Sequence, residues 1–309
     1  MAVSSLSFQT AYQEVAGQLG LDSTDTNTLV RLKRWINLSY KDIVGYHTWS
    51  WLQDRESVTM EIDYTDATNT YTVAVGVAGT TATFSGAIAA SRTGWFIQFE
   101  GSDDWYKITS HTAGASTATI SPAFVGTAAL TAAKFTIRKM FYSLSSSVEY
   151  IISCRQAVTN TSVEVMSERE FDKSGFPDET ASAVTSIVLW GQDSSNNWTF
   201  TPYPTPSSAL LLEFRFIKAI TELSATSDTP KFPPRFDSIL LTRAKMYGYE
   251  FINDDSMYKL KLAEYDKAMK EMKTRDSVSK STLTILQSVD GNAGYESPFI
   301  NFPSAFGDM

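Results

Sequence analysis

One cysteine among 309 residues, Cys154, excludes any disulfide within the chain, and with only His47 and His111 beside it an ordinary zinc site would need several carboxylates. No metal and no cofactor are expected. Basic charge is short as well: 26 Lys and Arg against 34 Asp and Glu leave a net charge of −8, which argues against a surface built to neutralise phosphates. No stretch approaches the roughly 18 apolar residues of a membrane helix. The opening MAVSSLSFQTAYQE lacks the basic start and apolar core of a signal peptide, so synthesis in a cytoplasm is expected. Also missing are the Walker phosphate loop, the dinucleotide fingerprint, the His-Glu-x-x-His pair and the Gly-x-Ser-x-Gly elbow. No pattern nominates two carboxylates for glycoside cleavage. Cys154 as a nucleophile would need a base to form thiolate, and a buried structural thiol is the plainer reading. No enzymatic activity is expected.

The sequence does hold strong helical periodicity at both ends. Ser7 to Gly20 places Phe8, Tyr12, Val15 and Leu19 on one face and ends at a glycine. From Asp25 to Leu52 a longer helix is predicted, because Leu29, Leu32, Ile36, Ile43 and Tyr46 recur at three- and four-residue steps with Arg31, Lys33, Arg34, Lys41 and Asp42 between them. Ser23, Thr24 and Asp25 offer capping oxygens, and Trp49 and Trp51 demand burial. Near the other end, Pro230, Pro233 and Pro234 break the chain before Phe236, Leu240, Ala244, Tyr247 and Phe251 trace a helical face. Asp254 and Asp255 then cap a second helix bearing Tyr258, Leu262, Tyr265, Met269 and Met272, with surface pairs expected from Glu264 to Lys267 and from Asp266 to Lys270. This hairpin is the natural packing partner of the helix from Asp25.

Between these ends the period changes to two. From Val58 to about Met140, segments such as VTMEIDY, TATFSG, GWFIQFEG, DWYKITS and KFTIRKMFY alternate and are separated by turn residues, the pattern of a small all-β sandwich or barrel. Trp95, Phe99 and Trp105 are weighed as a platform for a glycan or peptide, and half-buried sheet aromatics are the simpler reading. Asp103 and Asp104 sit in a Gly-Ser-Asp-Asp stretch better read as a turn than as a metal loop. A linking region follows, with a strand at Val148 to Gln156 and a short charged segment at Ser167 to Lys173. Then TSIVLWG, NWTFTPYPTP and ALLLEFRFIKA read as three strands.

The fold expected is therefore α+β: N-terminal helices at 1–57, an all-β insertion at 58–142, a linking region and antiparallel sheet at 143–232, a helical hairpin at 233–275 that completes one helical core, and an extended arm at 276–309. The arm loses periodicity yet keeps Tyr295, Phe299, Ile300, Phe302 and Phe306, which disordered tails lack, so it is read as built to lie on another surface.

Two stretches carry a family resemblance. RWINLSYKDIVGYHTWSWL, Arg34 to Leu52, resembles the opening helix of bacteriophage head-to-tail adaptor proteins, and SATSDTPKFPPRFDSILLTRAKMYGYEF, Ser224 to Phe251, resembles the loop and helix by which such proteins re-enter their helical core. The resemblance implies a structural virion protein at the head-tail interface, made in the host bacterial cytoplasm. It further implies a ring of about twelve copies beneath the portal protein, continued by tail or nozzle proteins, with DNA passing through unread by sequence. The arm residues Tyr295, Phe299, Ile300, Phe302 and Phe306 would grip the portal or a neighbouring subunit. An alternative from a different class is a receptor- or glycan-binding tail protein using the β insertion, and a third is a tail-borne enzyme cleaving the cell wall.

Overall fold

The computed structural model describes residues 6–65, 71–174 and 179–289, and of Ser174 and residues 277–289 the backbone alone. It divides into two compact units, Met1–Leu52 with Thr221–Met309, and Gln53–Ile220. The helices are α1 (Phe8–Leu19), α2 (Thr26–Gly45), α3 (Glu168–Ser174), α4 (Asp237–Phe251) and α5 (Asp255–Val289), of which α3 belongs to the second unit.

In the first unit the caps follow from sequence. Ser7 accepts the Thr10 N–H at 3.1 Å, Gly20 closes α1 in the left-handed region at φ +67°, and the Asp25 carboxylate accepts the Thr28 N–H at 2.8 Å. Asp254 caps α5 by accepting the Met257 N–H at 3.1 Å. Buried side chains of α2 are Leu32, Trp35, Ile36, Tyr40 and Ile43, whereas Tyr46 is exposed. α4 approaches α1 so closely that a Cβ on Gly248 would lie 2.1 Å from Leu19 Cδ1. A larger residue at 248 would require the Leu19 side chain to shift. On α5 the surface pair formed is Lys261 with Glu264 at 2.7 Å, in place of the pairs expected from spacing.

Two expectations about helix ends are corrected. The long N-terminal helix stops at Gly45, and the chain turns through His47 into a short 3-10 turn at Ser50–Leu52. At the other end, α5 runs unbroken to Val289, so the extended arm does not begin at Asp276. The residues Tyr295, Phe299, Ile300, Phe302 and Phe306 lie outside the described residues.

Among the described residues, the regular elements of the second unit are strands apart from α3. In chain order they are β1 (Gln53–Met60), β2 (Tyr64–Thr65), β3 (Val73–Val75), β4 (Thr81–Phe84), β5 (Phe96–Phe99), β6 (Trp105–Ser110), β7 (Thr117–Ser121), β8 (Leu130–Ala133) and β9 (Phe135–Arg138). Then come β10 (Tyr142–Ser143), β11 (Val148–Gln156), β12 (Ser162–Ser167), β13 (Thr180–Ala181), β14 (Ser186–Gln192), β15 (Trp198–Tyr203), β16 (Thr205–Pro206) and β17 (Leu210–Lys218). An eight-stranded sheet of order β2-β9-β5-β6-β7-β4-β3-β8 curls into a nearly closed, barrel-like body. Alternation sends Ala82, Phe84, Ile97, Phe99, Tyr106, Ile108, Phe135 and Ile137 into its core.

A seven-stranded sheet of order β1-β17-β11-β12-β14-β15-β10 buries Met60, Cys154, Phe200, Leu212, Phe214 and Phe216 on one face. Within it β1 runs antiparallel to β17 without a register shift, from Gln53 opposite Ile217 to Met60 opposite Leu210, and β12 runs parallel to β14. Val58, the expected first residue of the insertion, is thus a residue of this sheet, and the barrel-like body occupies Tyr64 to Arg138. Its outgoing and returning segments are tied together. Arg138 donates to both oxygens of Asp63 at 2.9–3.1 Å, Lys139 pairs with Glu61 at 2.8 Å, and the Glu61 N–H donates to the Tyr142 hydroxyl at 2.9 Å.

Candidate functional site

The two stretches that carry the resemblance, with Leu223 just ahead of the second, interlock in the helical unit. Asn37 on α2 uses both ends of its amide on Leu223, donating to the carbonyl at 3.0 Å and accepting from the N–H at 2.9 Å, as a second backbone strand would. One turn on, the Tyr40 hydroxyl accepts the Lys231 N–H at 3.0 Å and its ring meets Phe232 edge-on. Burial pushes the Tyr40 phenol above its ordinary range.

The tryptophan pair completes this joint. Trp49 donates its indole N–H to the Ile43 carbonyl at 2.7 Å, capping α2 from outside, and its ring packs edge-on against Phe236 at 5.1 Å. Trp51 lies beside it and touches both Phe232 and Phe236. Between the two rings, Ser50 donates its N–H and hydroxyl to the fully buried carboxylate of Asp276 on α5, which also stands 3.4 Å from His47 Nε2. Asp42 accepts from Arg243 at 2.6 Å and from the Tyr247 hydroxyl at 2.7 Å. Apart from the Trp49–Ile43 bond and the Trp49–Trp51 contact, these links join the N-terminal segment to the chain after residue 220. The geometry is that of a scaffold that fixes helix ends, and sequence reasoning had marked Trp49 and Trp51 for burial without naming their partners.

The residues weighed for chemistry fall elsewhere. Cys154 is buried in the seven-stranded sheet, where desolvation pushes its thiol up to about 12 and keeps it protonated. His111 is buried in the barrel-like body, taking the Arg92 N–H on Nδ1 at 3.1 Å. Asp104 lies in a turn in which its N–H donates to Ser102 Oγ at 3.2 Å. Among the described residues no group of three or more His, Cys, Asp or Glu is placed to hold a metal ion.

Of the aromatics considered as a glycan platform, Phe99 and Trp95 are core, the latter under the Arg92 guanidinium at 4.1 Å. Trp105 is part-buried, with Arg138 stacked over it at 4.9 Å, and it lines a cleft of about 310 Å³ with Phe141, Phe171, Trp190 and Tyr203. Phe141 and Trp190 meet edge-on at 6.0 Å, and Trp190 donates its N–H to Thr201 Oγ1 at 2.8 Å. No residue pattern in the sequence had pointed to this cleft, because its walls come from five separate strands and a short helix.

A protein-family model described as SU10 adaptor protein matches residues 7–286, taking in both resembling stretches and everything between them. No curated protein matches the chain.

Proposed function

We propose, for a chain that belongs to the SU10 adaptor protein family and is thus a phage structural adaptor, that it works as the head-to-tail adaptor of the particle. In this reading it forms a ring beneath the portal protein, receives tail or nozzle proteins below, and lines the channel through which DNA leaves. It is made in the host bacterial cytoplasm and resides in the neck of the virion. It performs no catalysis, and DNA slides past it without sequence-specific contact.

The observation that carries the reading is the family match over residues 7–286. Two features agree with it. A net charge of −8 suits a wall past which a polyanion must move without sticking. The joint built on Asn37, Tyr40, Trp49 and Trp51 ties both chain ends into one helical unit, a rigid base from which a C-terminal segment can reach a partner. We assign that reach to Tyr295, Phe299, Ile300, Phe302 and Phe306. Each buried aromatic or isoleucine supplies roughly 1.5 to 3 kcal/mol, against about 1 to 2 kcal/mol per ordered backbone residue, so attachment requires several to dock together.

Truncation after Val289 tests this. The shortened chain is expected to melt within a few degrees of the full chain and to lose co-sedimentation with portal-bearing heads. Full-strength attachment of the truncated chain would remove the C-terminal segment from the anchor. Electron micrographs of purified particles with no ring of this chain at the neck would remove the adaptor role itself.

A further inference from the structure

The open face of the seven-stranded sheet carries an arrangement of charge that the fold alone leaves unbalanced. On β17, Leu212, Phe214 and Phe216 are buried, so Leu211, Glu213, Arg215 and Ile217 point the other way. The register sets Arg55 of β1 directly opposite Arg215 and Arg155 of β11 directly opposite Glu213. Glu213 serves two arginines at once, Arg55 at 3.1 Å and Arg155 at 2.8 Å. These two guanidinium groups hold its carboxyl below the usual range, the Arg155 hydrogen bond contributing most. Arg215 has no hydrogen bond or ion pair among the described residues and faces a second arginine across the strand pair. Like charges directly opposite each other destabilise a sheet.

Around this cluster lie apolar side chains in solvent: Tyr150 is 66% exposed, Ile152 39% and Leu211 36%. Tyr150 stands opposite Ile217 in the same register. Arginine and tyrosine with exposed aliphatics are the composition of a protein interface, and the planar guanidinium fork of Arg215 matches a carboxylate in two-point contact.

Nucleic acid fits this face poorly. The exposed apolar side chains Tyr150, Ile152 and Leu211 find nothing to cover them on a sugar-phosphate backbone. A carboxylate-bearing protein surface can cover those side chains and give Arg215 a partner together. A second copy of this chain offers one, because it is acidic overall while this face is basic, and a patch that meets a different patch on the next copy makes a head-to-tail contact of the kind that closes rings.

We propose that the open face of β1, β17 and β11, centred on Arg215 with Arg55 and Arg155, docks a carboxylate-bearing surface of the neighbouring copy. The choice of neighbour rests on the adaptor reading above.

The test uses particles of the parent phage in which the chain carries Tyr150→p-benzoylphenylalanine, a photo-crosslinking residue at a position of the face that is 66% exposed. Irradiation of purified particles is expected to give a covalent dimer of the chain, identified by mass spectrometry. Adding Arg215→Glu is expected to lower dimer yield at least tenfold, while Lys107→Glu on the barrel-like body leaves it unchanged and circular dichroism shows all variants folded. Adducts to another protein or to DNA, no adduct in particles that contain the chain, or an Arg215→Glu yield equal to the parent's would overturn the docking proposal and leave the adaptor role standing. Absence of the chain from purified particles would instead overturn the adaptor role, and this proposal with it.

Discussion

Replacing Trp49 should unfold the helical unit first, and the size of the effect is readable from its surroundings. The indole is wholly buried, donates its N–H to the Ile43 carbonyl at 2.7 Å, and packs edge-on against Phe236 at 5.1 Å and His47 at 5.0 Å. Trp49→Ala removes the largest buried side chain at the joint, and such truncations cost about 3 to 5 kcal/mol. Trp49→Phe keeps an aromatic ring in the same place and loses the N–H donor. Because the Ile43 carbonyl also accepts the Tyr46 N–H at 3.4 Å, it is not left wholly unpaired, and the loss should be about 1 to 2 kcal/mol. Tyr150→Ala, at a position 66% exposed, should change stability by less than about 0.5 kcal/mol. Urea melts followed at 222 nm report the helices, which lie almost wholly in the first unit, and the midpoints should fall in the order Tyr150→Ala, Trp49→Phe, Trp49→Ala. A Trp49→Ala loss under about 1 kcal/mol would refute the claim that the indole holds the chain's two ends together.

Excising residues 64–138 and bridging Asp63 to Lys139 with a short Gly-Ser linker should leave a folded chain, since Glu61 and Tyr142 already hold the two ends side by side; a non-cooperative melt of the remainder would show that the barrel-like body and the seven-stranded sheet fold as one. Cys154, its thiol pushed up to about 12 by burial, should resist Ellman's reagent at pH 8 and react fully once denatured. Burial likewise pushes the phenols of Tyr142 and Tyr265 up to about 12, from an ordinary value of 10.0. All three groups lose their protons more easily when unfolded. Their contribution is intact below about pH 9, and stability should decline between about pH 9 and 12, as urea midpoints across that range would record; a flat profile there would contradict the burial of these groups.

The helices were legible because a three-and-four-residue recurrence is a local property: Leu32, Ile36 and Ile43 announce a buried face before any partner is known, and each is buried. Their ends were less so. The Ser and Thr between Asp276 and Val289 dilute the apolar pattern, yet each added residue of an established helix gains a backbone hydrogen bond whatever its side chain, and α5 continues through them. The strands were legible one at a time for the same local reason, as Val148–Gln156 was, but alternation says which residues share a face and nothing about which strand lies alongside. Hence Val58 was placed with the strands that follow it in sequence, while Leu212, directly opposite it in the register, belongs to the far end of the unit in sequence.

The same limit hid what is most informative about the candidate surfaces. Asn37 stood in the sequence as one letter of a helix motif; its work as a stand-in for a peptide group appears only when Leu223 is beside it, because its amide sets one of its N–H groups and its oxygen side by side against the Leu223 carbonyl and N–H. Arg55, Arg155 and Arg215 were three ordinary surface cations in three separate stretches. A salt bridge or a like-charge clash exists only between neighbours, and neighbours in a sheet are set by register, which long-range packing of Leu212, Phe214 and Phe216 decides. Once those three apolar side chains turn inward, Arg215 is fixed opposite Arg55 while Glu213 is shared between Arg55 and Arg155, a like-charge pair that a carboxylate from a neighbouring surface would relieve.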